Sequence, residues 1–129
     1  MATSKIPTKL PVIKKSWSNL ATPAAQYYTG ASFTIPANTR ALLLAKTANG
    51  KVEEITNTCN FNATGSPKMI ANGSQTTKAG SGNFVTGWFY IETGTSSCTV
   101  DVRQYGYDTT VTGGTGEAIA ITLEGAAIS

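Results

Sequence analysis

The sequence predicts an all-β fold: a single-domain antiparallel β-sandwich, jelly-roll-like, with an extended N-terminal arm. Three observations predict it. Short runs rich in Val, Ile, Thr, Phe and Tyr alternate with period 2 and are punctuated at regular spacing by Gly, Asn, Ser and Pro. Charged residues make up only 13% of the chain, Thr is its commonest residue, and Ala/Leu/Glu/Lys tracts with helical spacing are missing. A length of 129 residues suits one hydrophobic core and not two.

Residues 1–24 read as a basic arm, and residues 25–129 as the sandwich. Pro7, Pro11 and Pro23 prevent a continuous helix and favour extended geometry in the residues before them. Ile6, Leu10, Val12, Ile13, Trp17 and Leu20 are too many apolar side chains for an idle solvated tail. The arm is therefore expected to lie against its own domain or against another subunit.

Tyr27–Ile35 is the first strand region, with Gly30 as a bulge or bend. A turn at Pro36-Ala37-Asn38-Thr39 leads into the apolar strand Ala41–Lys46. Asn49-Gly50, the strongest short hairpin signal, leads to Val52–Thr56, and Cys59–Ala63 continues as a further strand. Thr64 to Gly82 reads mostly as loop, with Lys68-Met69-Ile70 as a short edge strand.

The stretch from Asn83 to Tyr105 reads as a central hairpin turning at Glu92–Ser97. Its first strand puts Phe84, Thr86, Trp88 and Tyr90 on one face and Val85, Gly87, Phe89 and Ile91 on the other. Its second puts Cys98, Val100 and Val102 opposite Thr99, Asp101 and Arg103. Thr109–Thr112 and Ala118–Glu124 follow, separated by a turn at Gly113-Gly114-Thr115-Gly116. Ile119, Ile121 and Leu123 are expected to face the core.

Net charge is +3, but residues 1–52 hold seven bases and no acid, while the remainder holds three bases and seven acids. A basic leading half on an acidic domain suits contact with nucleic acid, a membrane or a neighbouring copy. No stretch of about 18 apolar residues occurs, and the N-terminus lacks the apolar core of a secretory signal. Cys59 and Cys98 each fall in a predicted strand, so both are expected buried and reduced, with a disulfide as the alternative.

Histidine is absent, which removes Ser–His and Cys–His nucleophile pairs and leaves two thiols too few for a zinc site. No cofactor is expected. Glu53, Glu54, Glu92, Asp101 and Asp108 are the carboxylates from which an acid pair could be drawn, but strand carboxylates ordinarily face solvent. The glycine clusters at 80–82 and 113–116 are not followed by Lys-Ser or Lys-Thr and open no helix, so they read as turns and not phosphate cradles.

Nucleic-acid binding has only Trp17 among Lys5, Lys9, Lys14 and Lys15, and is not expected. A carbohydrate platform is the stronger alternative. Trp88, Tyr90, Tyr105 and Tyr107, with Tyr27 and Tyr28, supply aromatic faces for sugar rings, unless Trp88 and Tyr90 turn inward to the core. Asn62-Ala63-Thr64 and Asn72-Gly73-Ser74 match the glycosylation acceptor pattern but, without a secretory signal, read as loop chemistry.

The arm Met1–Lys15, the Thr/Ser/Asn-rich stretch Ala31–Thr39 and the Gly-rich end Thr112–Ser129 together resemble, in style, the small β-rich accessory proteins of bacteriophage virions: capsid decoration (cement) proteins and fibre-head domains. The resemblance implies a non-catalytic structural protein, assembled in the host cytoplasm into a virion. It implies a homo-oligomer, with trimers common among such proteins, attached to other virion subunits such as the major capsid protein. The expected partner-binding residues lie in the arm: Lys5, Ile6, Lys9, Leu10, Val12, Ile13, Lys14, Lys15 and Trp17.

Overall fold

The computed structural model describes residues 9–50, 55–79, 84–106 and 113–129, with 55, 56 and 75–79 described by their backbone alone. The described elements are all strands: β1 (Val12–Leu20), β2 (Tyr27–Ile35), β3 (Arg40–Ala48), β4 (Ile55–Thr64), β5 (Pro67–Gly73), β6 (Gln75–Ala79), β7 (Val85–Thr93), β8 (Cys98–Tyr105) and β9 (Gly114–Glu124). They form two antiparallel sheets, one ordered β1-β9-β3-β7-β5 and the other β2-β8-β4-β6, packed as a sandwich. β6 pairs with the first half of β4, and β8 with its second half.

Successive described strands alternate between the sheets, so none of them pairs with its neighbour in sequence. This corrects the expected hairpins. β7 and β8 lie in opposite sheets and contribute to one core from its two sides; β7 pairs with β3 and β5, and β8 with β2 and β4. The reason is bulk on both strands. Phe89 and Ile91 of β7 and Val100 and Val102 of β8 are each buried in the same cluster, and strands on opposite sides of one core can supply it from two directions. The Glu92–Ser97 turn is thus an arch between sheets. Thr93 anchors it, its hydroxyl donating to Pro36 O and its N–H to Thr39 O. Asn49-Gly50 likewise ends β3 in one sheet before β4 begins in the other.

Several further expectations change. Thr64–Gly82 is not mainly loop: it carries β5, an edge strand, and β6. The Gly113–Gly116 turn is largely strand, because β9 begins at Gly114. The Thr109–Thr112 strand, Tyr107, Lys5, Ile6, Glu53, Glu54 and Asp108 lie outside the described residues. Within the segment read as an arm, Val12–Leu20 is an edge strand hydrogen-bonded to β9, with Val12 opposite Ile121 and Trp17 opposite Gly116. The prolines permit this because Pro7 and Pro11 precede the strand and Pro23 follows it.

The core contains Phe33, Ile35, Leu43, Phe89, Ile91, Val100 and Val102, all at most 2% exposed, and Phe61 stacks on Phe89 at 5.4 Å between centroids. Cys59 and Cys98 are both buried and free, and burial pushes the Cys59 thiol up to about 12.

Ile119, Ile121 and Leu123 do not face this core. β9 turns Gly114, Gly116, Ala118, Ala120 and Thr122 inward and its large side chains outward. The space between the sheets is already filled from elsewhere: a Cβ on Gly116 would strike the Trp17 ring, and one on Gly114 would strike the Gln104 amide at 2.8 Å. Small residues are all that β9 can present there.

Candidate functional site

Antiparallel sandwiches ordinarily solvate the outer face of each sheet with polar side chains. The smaller sheet obeys this. Its outer face carries Ser32 and Thr34 of β2, Thr99, Asp101 and Arg103 of β8, and Asn60 and Asn62 of β4. Asp101 accepts a hydrogen bond from Ser32 Oγ, and Arg103 donates to Asn60 Oδ1 at 2.7 Å.

The larger sheet does not. The register places Val12, Ile121, Leu42, Tyr90 and Ala71 in one row across its outer face, and Lys14, Ile119, Leu44, Trp88 and Gly73 in the next. Val12, Leu44 and Trp88 are 51%, 40% and 43% exposed, and Met69 at the β5 margin is 52% exposed. A contiguous apolar band crosses all five strands and is left open to solvent by the described residues.

Each end of the band is closed by a charged cluster of opposite make-up. At the β3 N-terminal end one base sits between two acids: Arg40 lies 3.7 Å from Glu92 and 4.0 Å from Glu124. The Tyr90 hydroxyl joins them, accepting from Arg40 Nε at 3.2 Å and donating to Glu92 at 2.8 Å. The bond to Tyr90 raises the pKa of Arg40, and the bond to Glu92 raises that of Tyr90 against the opposing effect of Arg40. At the other end one acid sits between two bases, Glu117 lying 3.5 Å from Lys46 and 3.7 Å from Lys14. Lys46 also covers the exposed Phe84 ring, 4.5 Å from its centroid.

Next to this second cluster lies a cleft of about 600 Å3 bordered by Leu44, Lys46, Gly73, Trp88, Glu117 and Ile119. The indole of Trp88 lies across Gly73 on the neighbouring strand, where a side chain would block it. The ring is thereby held against the sheet with its far face free.

The expected site residues separate into three groups. Val12 and Lys14 stand on the outer face of the larger sheet; Lys9 is exposed and Leu10 half-buried just before it. Ile13 and Trp17, expected to meet a partner, pack against their own core. Trp17 fills space left by Gly30 and Gly116, and its Nε1 donates to Gln104 at 2.8 Å. Lys15 closes the seam between β1 and β2, donating to Ser32 O at 2.6 Å over the Phe33 ring.

The aromatic platform is also split. Trp88 and Tyr90 share the larger sheet's outer face, not the core, whereas Tyr105 packs edge-on to Tyr27 on the smaller sheet, centroids 5.1 Å apart. Glu92 and Asp101, the two described members of the carboxylate set, stand on opposite sheets.

Leu42, Leu44, Ile119, Ile121 and Met69 were not singled out from the sequence as site residues. A signal for most of them was present: Leu42-Leu43-Leu44 and Ala118–Leu123 are apolar at both odd and even positions, which a strand with one solvated face does not need.

No protein-family model matches the chain, and comparisons with curated proteins and with solved structures return no match. Among the described residues no group of three or more Cys, Asp or Glu side chains converges as a metal site.

Proposed function

We propose that this chain is a non-enzymatic structural protein of a virion, a capsid decoration or fibre component. It attaches to other virion subunits through the outer face of its larger sheet, continued by the segment that leads into β1. The carrying observation is the difference between two faces of one molecule: the smaller sheet's outside is mainly Ser, Thr, Asn, Asp and Arg, with Tyr27 and Tyr105 at one end, and the middle of the larger sheet's outside is Val, Ile, Leu, Trp and Tyr, with Met69 at its margin and charged residues only at its ends. Burying such a band gains roughly 25 cal/mol per Å2 before ordering costs, while the charged ends set orientation.

The jelly-roll reading belongs here too. Setting aside β5, strand orders β1-β9-β3-β7 and β2-β8-β4-β6, with sheet exchange at every connection but β4 to β6, support it. The stylistic resemblance to phage accessory proteins points the same way and places the chain in the virion, assembled in the host cytoplasm.

The test is incorporation into particles. In cells producing the complete virion, the wild-type chain co-purifies with particles, whereas Leu44→Asp, a change on the exposed face, is excluded although it folds. Removing residues 1–15 would also strip the first half of β1, so the companion truncation stops at Thr8 and is expected to reduce incorporation. Absence of the wild-type chain from particles, or undiminished incorporation of Leu44→Asp, overturns the proposal.

A second reading rests on one specific feature, the open indole of Trp88 above the cleft with Lys46, Glu117, Thr86 and Ser74 at hand. This is a stacking site for a sugar ring, as in a carbohydrate-binding module or adhesin head. Sugar binding on a glycan array, abolished by Trp88→Ala, supports it.

A further inference from the structure

The cleft beside Trp88 is built from two parallel rows of side chains. The strand register sets Gly73, Trp88, Leu44 and Ile119 side by side across β5, β7, β3 and β9. It sets Thr86, Lys46 and Glu117 in the adjoining row on the same face. The first row is apolar and the second polar, so the cleft has an apolar floor with hydrogen-bonding groups along one side.

The polar side is held in place and keeps capacity for a ligand. Lys46 Nζ stands 3.5 Å from Glu117 Oε1 and 4.5 Å from the centroid of Phe84. The Glu117 oxygens lie 3.5 Å from Lys46 and 3.7 Å from Lys14, longer than good hydrogen bonds, so the carboxylate can still accept from hydroxyl groups. Among the described residues, Lys46 and Glu117 are the only charged ones bordering the cleft, and their charges cancel. The complement is a neutral ligand with a flat apolar face and hydroxyls along its edge.

A pyranose ring of the glucose configuration has this form. Its substituents are equatorial, so C–H groups cover its faces and hydroxyls surround its edge. An axial hydroxyl would instead be pressed against Leu44 or Ile119 without a partner. Length follows from the strands. The indole lies over Gly73, so a ring stacked on it sits above β5 and β7, whereas Glu117 stands on β9, two strand spacings of about 4.8 Å beyond β7. One ring cannot touch both. The row of cross-strand partners is straight, and rings joined through equatorial bonds make a straight chain.

Resting on the reading of Trp88 as a sugar-stacking residue, we propose that the ligand of this cleft is a short, neutral oligosaccharide. Its rings have the glucose configuration, are joined through equatorial bonds and lie across the strands. One ring stacks on Trp88, the next covers Leu44 and Ile119, and neighbouring hydroxyls of that second ring donate to Glu117. Trp88 anchors the ligand and Glu117 reads its length.

The experiment is an NMR titration of the full chain with two series of probes, glucose, cellobiose and cellotriose, and N-acetylglucosamine, chitobiose and chitotriose. Maltotriose, bent by its axial linkages, is the control. The two series tell a hydroxyl from an acetamido group beside the linkage. In one or both series the trisaccharide is expected to bind at least about tenfold more tightly than the monosaccharide, and maltotriose no better than glucose. Glu117→Gln should weaken the trisaccharide about tenfold and leave the monosaccharide unchanged, while Trp88→Ala removes both. Both residues are on the surface, and circular dichroism establishes that each variant is folded.

Affinity that does not rise with chain length, equal binding of maltotriose, or a trisaccharide indifferent to Glu117→Gln each overturns the inference. If Trp88→Ala still abolishes binding in those cases, the sugar-stacking reading stands. Failure of both series, with other sugars bound through Trp88 on a glycan array, likewise overturns the inference alone. A chain that binds no sugar overturns both.

Discussion

Trp17 holds the edge of the molecule in place through two glycines. It enters between the sheets from β1, lies where side chains on Gly30 of β2 and Gly116 of β9 would otherwise stand, and is fixed by its bond to Gln104 Oε1. A Cβ at Gly30 would meet only Trp17 ring atoms among its nearest neighbours. Gly30→Ala is therefore expected to destabilise the wild type by about 1–3 kcal/mol through overpacking. Trp17→Ala should cost about 3 kcal/mol, the low end for an aromatic because the ring is only half-buried. In the Trp17→Ala background the Gly30→Ala penalty should vanish or reverse, since the clash is gone and alanine restricts the unfolded chain more than glycine. Urea denaturation of the four proteins in the cycle measures this. Additive costs would mean that the indole does not occupy that space.

At the scale of the strand, β3 shows how one element serves two surfaces. Leu43 is fully buried between the sheets, and Leu44, one residue on, is exposed on the outer face. Leu43→Ala is expected to cost about 2–5 kcal/mol, while Leu44→Ala in the free chain should cost less than about 1 kcal/mol. Chemical denaturation of the dilute protein distinguishes them, and equal costs would contradict the face assignment. The existence of most strands was legible in the sequence, because period-2 patterns and β-branched residues are local signals. The inward face of β8 was legible as well, since Cys98, Val100 and Val102 are apolar and Thr99, Asp101 and Arg103 are not; that of β7 was not, because Trp88 and Tyr90 on the alternate face are as bulky as Phe89 and Ile91. Pairing was not legible: Asn49-Gly50 and Glu92–Ser97 carry turn chemistry, and turn residues serve an arch between sheets as readily as a hairpin. The facing of β9 was misread for a related reason. Alternating Ala and Ile offers two apolar faces, and the choice is made by Trp17 and Gln104, which are far away in sequence.

At the scale of the molecule, two apolar surfaces share one sheet, and among the described residues only the inner one is covered. Of the expected attachment residues, Val12 and Lys14 stand on the outer face. Ile13, Lys15 and Trp17 alternate with them and so turn to the sandwich, which a reading of the arm as one undivided surface could not separate. The central claim is that the outer face of the larger sheet is covered when the protein is in its working state. Hydroxyl-radical footprinting read by mass spectrometry tests it directly, comparing the dilute free chain with the chain in its assembled form. Trp88 and Met69 are expected to be oxidised readily in the free chain and shielded on assembly, while Tyr27, similarly exposed on the other sheet, reacts equally in both. Unchanged oxidation of Trp88 and Met69, with or without protection of Tyr27, would contradict the account.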